Sequence, residues 1–554
     1  MTGQLLTPVV VVKWQRDGVL LASAALLLVY LGACLGMMLL APKVPYADVW
    51  RFLGHFLQAG FPQDVLAPDN GHHEFLPNLV RVAELRVFKG GQWLQIGCGV
   101  ALLGGTLAVA GRLVKPLPQP HQRTAAWLAL LLGLCWLGNE RTQGHANETV
   151  HAYAVTLFLV CGITWLSRRK VTAVDALLAG ICGLGAAFSF GSGIATFSAF
   201  FAILLLRRGA WQTSVMLAVV VLLTFLLLHL TGGSAGPLYI APVTQGSQLL
   251  RWLAGPAIYA AWPALDPAIA TYLPGALRGP VVTVATQYQA LAGPVMLARW
   301  PHLLIGLCGL CGLAVMAWRT WCNPVRTALL GIGLSVFALT VGALIVVVRD
   351  AYFQVYPEQL LATRYLVWSS LFWCGLLLAS VAHAVRGKAI AVAVCCVGLA
   401  LLPSQLWLWQ LGGSMRQVAE QTALAASVGI VDAERALGES EPSDIRRALP
   451  LLRDARAEMF AWPEAQTLGS RLTPADGVVV TDLQVHGVDN RIGPPGRRVS
   501  FSAASHKPRL LLVDADGVVR GLAASDAASG PNHWLGWMEG NARQAMPTVV
   551  APGH

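Results

Sequence analysis

From residue 18 to residue 410 the chain alternates long apolar stretches with short polar links. Crossing the hydrocarbon of a bilayer takes about 20 apolar residues per helix. About eleven stretches come near that length: 18–41, 93–113, 123–138, 151–167, 172–189, 192–206, 211–231, 301–318, 326–348, 363–385 and 389–410. The first is long and has no small-residue cleavage site before Pro42, so an uncleaved helix is expected. Between the first two spans the pattern becomes amphipathic. Val49, Leu53, Phe56 and Leu57 share one helical face, and Leu76, Leu79, Val80, Ala83 and Val87 another, with Arg81, Glu84 and Lys89 off that stripe. Helices of this kind are expected in the interface plane with their apolar faces in lipid.

Past residue 411 the texture changes again. Met415–Leu437 and Ile445–Phe460 read as soluble helices. Short strand-like runs follow at Val478–Val480, Val499–Phe501, Leu510–Val513 and Val518–Val519, with turn signals at Pro495-Gly496 and Asp516-Gly517. The predicted architecture is an α-helical polytopic membrane domain over 1–411, with outer loops 42–92, 139–150, 232–300 and 349–363. A small soluble α+β domain follows over 412–554. The 232–300 loop carries Tyr239, Trp252, Tyr259, Trp262, Tyr272 and Tyr288 with few charges, which predicts short interfacial or re-entrant helices.

Only 12% of the 554 residues are charged, against about 25% in soluble domains. The net charge of +11 would suit nucleic acid, but its distribution does not. Lys13 and Arg16, then Arg112, Lys115 and Arg123, then Arg168, Arg169 and Lys170, then Arg207 and Arg208, Arg319 and Arg326, and Arg386 and Lys388 occupy every second short link. That positive-inside alternation places the N-terminus in the cytoplasm and, with an odd number of spans, the tail outside. No nucleic-acid partner is expected; the lipid bilayer is. All eleven cysteines precede residue 397, so a tail in an oxidising compartment folds without disulfides.

Chemistry concentrates in the outer loops. Asp48 lies just after the first span, where a carboxylate can take a proton from a hydroxyl or hold a divalent cation against phosphate. It also suits the N-cap of the helix that follows. Asp69, His72, His73 and Glu74 form a dense polar group in so apolar a chain. Adjacent histidines point about 100° apart on a helix, so a metal site there needs ligands from another loop; a solvated loop is the plainer alternative. Glu140, His145 and Glu148 supply further candidates in the second loop. Arg364 and Tyr365 open the tenth span at its outer end, where a guanidinium can grip phosphate bidentately or merely snorkel.

These features together resemble GT-C integral-membrane glycosyltransferases, in particular bacterial ones that use a polyprenyl-phosphate sugar. The resemblance covers about residues 10–410. It rests on Asp48-Val49-Trp50 after the first span, on Asp69-Asn70-Gly71-His72-His73-Glu74-Phe75, on Glu148 in the second loop, and on Thr363-Arg364-Tyr365 opening a late span. The second segment is not the Asn-Glu-His-Arg of those relatives, and no Trp-Trp-Asp motif appears.

The resemblance implies a sugar transferase at the outer face of a bacterial inner membrane, with the C-terminal domain periplasmic and a glycan, lipid or protein of the cell envelope as acceptor. It implies Asp48 as base, with Asp69 or Glu148 assisting. Arg364 or Arg349, with Tyr365, would hold the donor phosphate, and His72, His73 and Glu74 the substrate. A divalent cation, magnesium or manganese, is compatible with it. A lipid flippase or transporter would need a polar path through the spans, which the sequence does not show. A polymerase of another fold, and a scaffold whose tail binds a partner, are the remaining readings.

Overall fold

The computed structural model describes residues 17–69, 72–232, 241–267, 275–297, 300–438, 440–472, 477–490, 493, 495–526, 529–541 and 544–552. Lys13, Arg16, Asn70, Gly71, Tyr239 and Tyr272 lie outside the described residues.

Each apolar stretch forms a helix. Among the described residues eight are long and apolar enough to cross a membrane: Gly18–Leu39, Trp93–Val114, Ala146–Leu166, Trp211–Leu230, Trp300–Cys322, Arg326–Val348, Thr363–Ala382 and Gly387–Ser427. The other three, Pro120–Leu134, Ala173–Ala187 and Thr196–Leu206, are shorter. The first of them ends where a 3-10 turn, Leu137–Asn139, and the short Glu140–Gly144 helix bury polar side chains inside the bundle. Leu28, Leu222, Leu230 and Trp318 stand well exposed on the spans, an arrangement suited to lipid and not to water. The protein is a multi-pass, mostly helical membrane protein.

At the centre Arg326–Val348 and Thr363–Ala382 pack along their lengths. A Cβ on Gly375 would lie 2.3 Å from the Gly331 carbonyl oxygen, so the two backbones meet through small residues, as membrane helices commonly do. Ser335 Oγ donates to the Phe372 carbonyl at 2.9 Å across the same seam.

The last helix runs 41 residues from Gly387 to Ser427. Tyr30 donates to its Gly398 carbonyl at 2.6 Å, and Trp136 Nε1 to Ser404 Oγ at 2.9 Å. Residue 411, where the sequence pattern changes, falls inside this helix; the hydropathy shifts there without breaking the backbone. Farther along, Ala419, Ala423 and Ala426 join the Pro442–Ala455 helix in one core with Trp50, Leu53 and Phe56 of the Val49–Gln58 helix. The apolar face of Val49–Gln58 is therefore covered by the chain's own C-terminal segment and not by lipid. The Phe75–Phe88 helix behaves as its pattern predicts on one side, with Leu79 and Val87 exposed, but turns Asn78, Arg81 and Glu84 into the protein.

In the fourth loop, Pro242–Leu253 and Gly255–Leu265 are short helices. Their Trp252 and Tyr259 are buried in the bundle core and do not sit at its rim.

Among the described residues six antiparallel strands follow: β1 (Thr481–Val488), β2 (Gly496–Ser502), β3 (Arg509–Val513), β4 (Val519–Ser525), β5 (His533–Glu539) and β6 (Thr548–Val550), ordered β1-β2-β5-β4-β3-β6. Val478–Val480 precede β1 and are not themselves a strand. Gly517, at φ +76°, makes the turn between β3 and β4, a conformation glycine takes without penalty. The sheet docks on Leu424, Ala425 and Val428 of the long helix and its continuation. Asp432 binds it, accepting from Arg498 Nη1 at 2.8 Å and Trp537 Nε1 at 3.0 Å.

Candidate functional site

A cavity of about 430 Å³ opens where the 42–92 loop, the 139–150 loop and the adjoining ends of two central spans converge. That is within the usual size of a small-molecule site. Asp48, Asp69, His72, Glu74, Glu148, Arg349, Arg364 and Tyr365 all line it. The fold thus brings together eight side chains spread over more than 300 residues of sequence. His73 is not among them: its ring packs on Phe188, and its Nδ1 lies 3.3 Å from Thr231 Oγ1.

The acidic side is organised by arginines. Arg51 grips Asp69 with two nitrogens, Nε to Oδ1 at 2.7 Å and Nη2 to Oδ2 at 2.6 Å, and reaches Asp48 Oδ1 at 3.1 Å. Arg141 Nε donates to Glu148 at 2.6 Å. Arg81 pairs with Glu74, also donates to Asn78 Oδ1 at 2.7 Å, and is buried. Asp48 starts the Val49–Gln58 helix yet makes no capping hydrogen bond, and 59% of its side chain is exposed. It is the least constrained carboxylate of the set, and it faces the cavity.

The opposite side is basic and aromatic. Arg349 and Arg364 both lie over the Tyr365 ring, at 5.9 and 5.1 Å from its centroid. Arg364 Nη2 donates to Gln359 at 3.1 Å, while among the described residues its buried Nε has no hydrogen-bond partner, and neither does the Tyr365 hydroxyl. Val341, Leu344, Ile345 and Val348 form an apolar wall leading away from the arginines along one span. Phe190 lines the remaining side, stacked on His151 at 4.2 Å and 5° and beside His72 at 4.8 Å.

Burial pushes the His72 imidazole below its ordinary range. Glu74 and Asp69 oppose that shift and Arg349 adds to it. His73 is pushed down by burial alone, and His145 by burial and then by the Arg141 charge. All three favour the neutral ring, so the positive charge of this cavity comes from guanidinium groups.

The carboxylates do not fit a divalent cation as they stand. Asp69 spends both oxygens on Arg51, and Glu148 is held by Arg141. Among the described residues no three His, Cys, Asp or Glu side chains are grouped to hold a metal.

Arg51, Arg141, His151 and Phe190 were not singled out by the sequence. Arg51 had a signal, since it stands three residues after Asp48 on a helix, where side chains meet. His151 had none, for it opens an apolar run, and Phe190 showed only as the start of a tight Phe190-Gly191-Ser192-Gly193 turn.

No family model matches the chain, and no curated protein matches it. Solved structures similar to it include the Archaeoglobus fulgidus oligosaccharyltransferase in complex with zinc and sulfate, at 12% identity and a TM-score of 0.38, covering 73% of this chain. This chain spans 55% of that protein's length. ArnT from Cupriavidus metallidurans is similar in its apo state, at 13% identity, 78% and 87% coverage and a TM-score of 0.33. The same protein bound to undecaprenyl phosphate gives 14%, 81% and 89%, and 0.30. TM-scores below 0.5 carry no weight for this chain's chemistry, which has to come from its own cavity.

Proposed function

We propose that this protein is a GT-C-type membrane glycosyltransferase. It would move a sugar from a polyprenyl-phosphate donor to a glycan, lipid or protein acceptor of the cell envelope at the outer face of the cytoplasmic membrane. One observation carries this reading: a single cavity sets an exposed carboxylate, Asp48, across from two arginines that make no ion pair with a carboxylate among the described residues, with an apolar wall beside them.

In this mechanism the donor's hydrocarbon lies along Val341, Leu344, Ile345 and Val348. Its phosphate sits at Arg349 and Arg364, with the Tyr365 hydroxyl as a further donor. An acceptor hydroxyl oxygen attacks the anomeric carbon, and its proton passes to Asp48. The bond from that carbon to the phosphate oxygen breaks, and polyprenyl phosphate leaves with the electron pair. Fixed cations at the leaving group lower the barrier because the charge develops where they already point. Asp69 acts through Arg51, which holds the Asp48 carboxylate in place, and Glu148 acts with Arg141 on the adjoining wall. Phe190, backed by His151, offers an aromatic face to the C–H face of the sugar.

The test is transfer by the purified full chain in detergent, using radiolabelled polyprenyl-phosphate sugars and envelope extracts as acceptor. Release of polyprenyl phosphate that requires Asp48 supports the reading. Failure of every donor to bind or turn over, with the protein folded, would overturn it.

A further inference from the structure

A second, much smaller cavity lies behind the first, between the Phe75–Phe88 helix, the start of the Trp93–Val114 helix and the 3-10 turn Glu458–Ala461. Its volume is about 20 Å³, enough for one water-sized particle and no more. Glu84, Gln95, Asn147 and Glu458 line it, and each is more than nine-tenths buried. Each also has an oxygen with no hydrogen-bond partner among the described residues: Glu84 Oε1, Gln95 Oε1, Asn147 Oδ1 and Glu458 Oε2.

The other polar atoms of Glu84, Glu458 and Gln95 are placed. Glu84 Oε2 accepts from the Leu94 and Gln95 amides at 2.6 and 3.1 Å, and Gln92 Nε2 donates to Glu458 Oε1 at 3.2 Å. Gln95 Nε2 donates to Gln92 Oε1 at 2.6 Å, which fixes its amide with the oxygen left over. The orphan oxygens are thus a consistent set.

Four acceptors meet one orphan donor there, Arg81 Nε. A single water has two protons and, even with Arg81 Nε donating to a third oxygen, leaves at least one of the four unmatched. A metal cation can satisfy all four. Arg81 is already paired with Glu74, and among the described residues neither Glu84 nor Glu458 makes an ion pair.

We infer that Glu84, Glu458, Gln95 and Asn147 form a structural site for one hard, oxygen-preferring metal cation, of the calcium, magnesium or sodium type. The site ties the turn at Glu458, from the C-terminal segment, to the first outer loop. Through Asn147 it also reaches the wall of the large cavity, which that residue lines as well. The inference does not depend on the transfer reaction.

The experiment uses the full chain in detergent, stripped with chelator, desalted and exposed separately to calcium, magnesium or sodium chloride. Retained metal is measured by elemental analysis and the unfolding midpoint by tryptophan fluorescence. One equivalent of one of these ions, together with a midpoint several degrees higher than in chelator, is expected. Glu458→Gln and Glu84→Gln should abolish both effects. Gln95→Met, which keeps the volume but removes the amide oxygen together with the Nε2 bond to Gln92, should weaken binding at least about tenfold while leaving a folded protein. Asp69→Asn, in the other cavity, should retain the ion. An unchanged midpoint with all three salts, or an ion that Glu458→Gln and Gln95→Met both keep, would overturn the inference. A shared proton and a water would then explain the site.

Discussion

Arg51 stands between Asp69 and Asp48, closing a two-nitrogen clamp on the first and a single 3.1 Å contact on the second. The clamp makes Asp69 part of the scaffold and leaves Asp48 available to chemistry. Asp48→Asn should therefore lower transfer by about 10²–10⁴, the usual contribution of a general base. Because its side chain caps nothing, the unfolding midpoint should move little. Asp69→Asn should instead lower both activity and the ordering of the loop. Rates and midpoints of the two variants check this; near-normal turnover in Asp48→Asn would move the base elsewhere.

Arg364 and Arg349 should act on the donor. Replacing either by Lys forfeits a charge-assisted hydrogen bond worth about 1.5–3 kcal/mol. The donor dissociation constant should rise about 10- to 100-fold. Titration with polyprenyl phosphate alone reads this without turnover.

Acidification should destabilise the protein. His72, His73 and His145 have their protonation pushed down in the folded state, whereas in the unfolded chain they titrate near 6.5. Below about that pH the unfolded chain takes up more protons, so stability falls as pH drops from about 6.5 toward the folded values and is level above. The unfolding midpoint between pH 7.5 and 5 should decline, and His145→Gln should make the decline shallower.

The buried Asp432 holds the sheet to the helix end. Asp432→Ala strips Arg498 and Trp537 of their acceptor. The cost should be about 2–3 kcal/mol, below the 3–5 of a fully buried pair because Arg498 keeps Glu434. Protease cleavage near residues 470–480 should rise while the membrane bundle stays intact.

The spans were legible because lipid demands long apolar runs, and those runs are in the letters. One of the three helices shorter than a span, Pro120–Leu134, ends for a reason the letters hide: Asn139, Glu140 and Gln143 just beyond it are buried in the bundle, and only tertiary packing makes that tolerable. The candidate side chains were legible as types, and eight of the nine line one cavity, where Asp69, Glu74 and Glu148 are each held by an arginine. His73 did not, since a one-residue step turns a neighbouring side chain away. The central strand β5 was missed although Trp534 and Trp537 are two of its seven residues. Its glycine and polar neighbours blur the alternation, and the sheet supplies the order. Val49–Gln58 showed an apolar face whose partner, the Pro442–Ala455 helix, lies nearly 400 residues away. No local pattern distinguishes such a partner from lipid.

The unbroken Gly387–Ser427 helix imposes a phase relation on the molecule. Each residue of an α-helix advances 1.5 Å and turns 100°. Tyr30 and Trp136 fix its azimuth at one end, and Asp432, just past the other, fixes the bearing of the sheet. One residue added between them would swing the sheet through more than a right angle, while four would nearly restore its heading one turn higher. The spacing of that rod, and not only its composition, is thus part of what the sequence encodes.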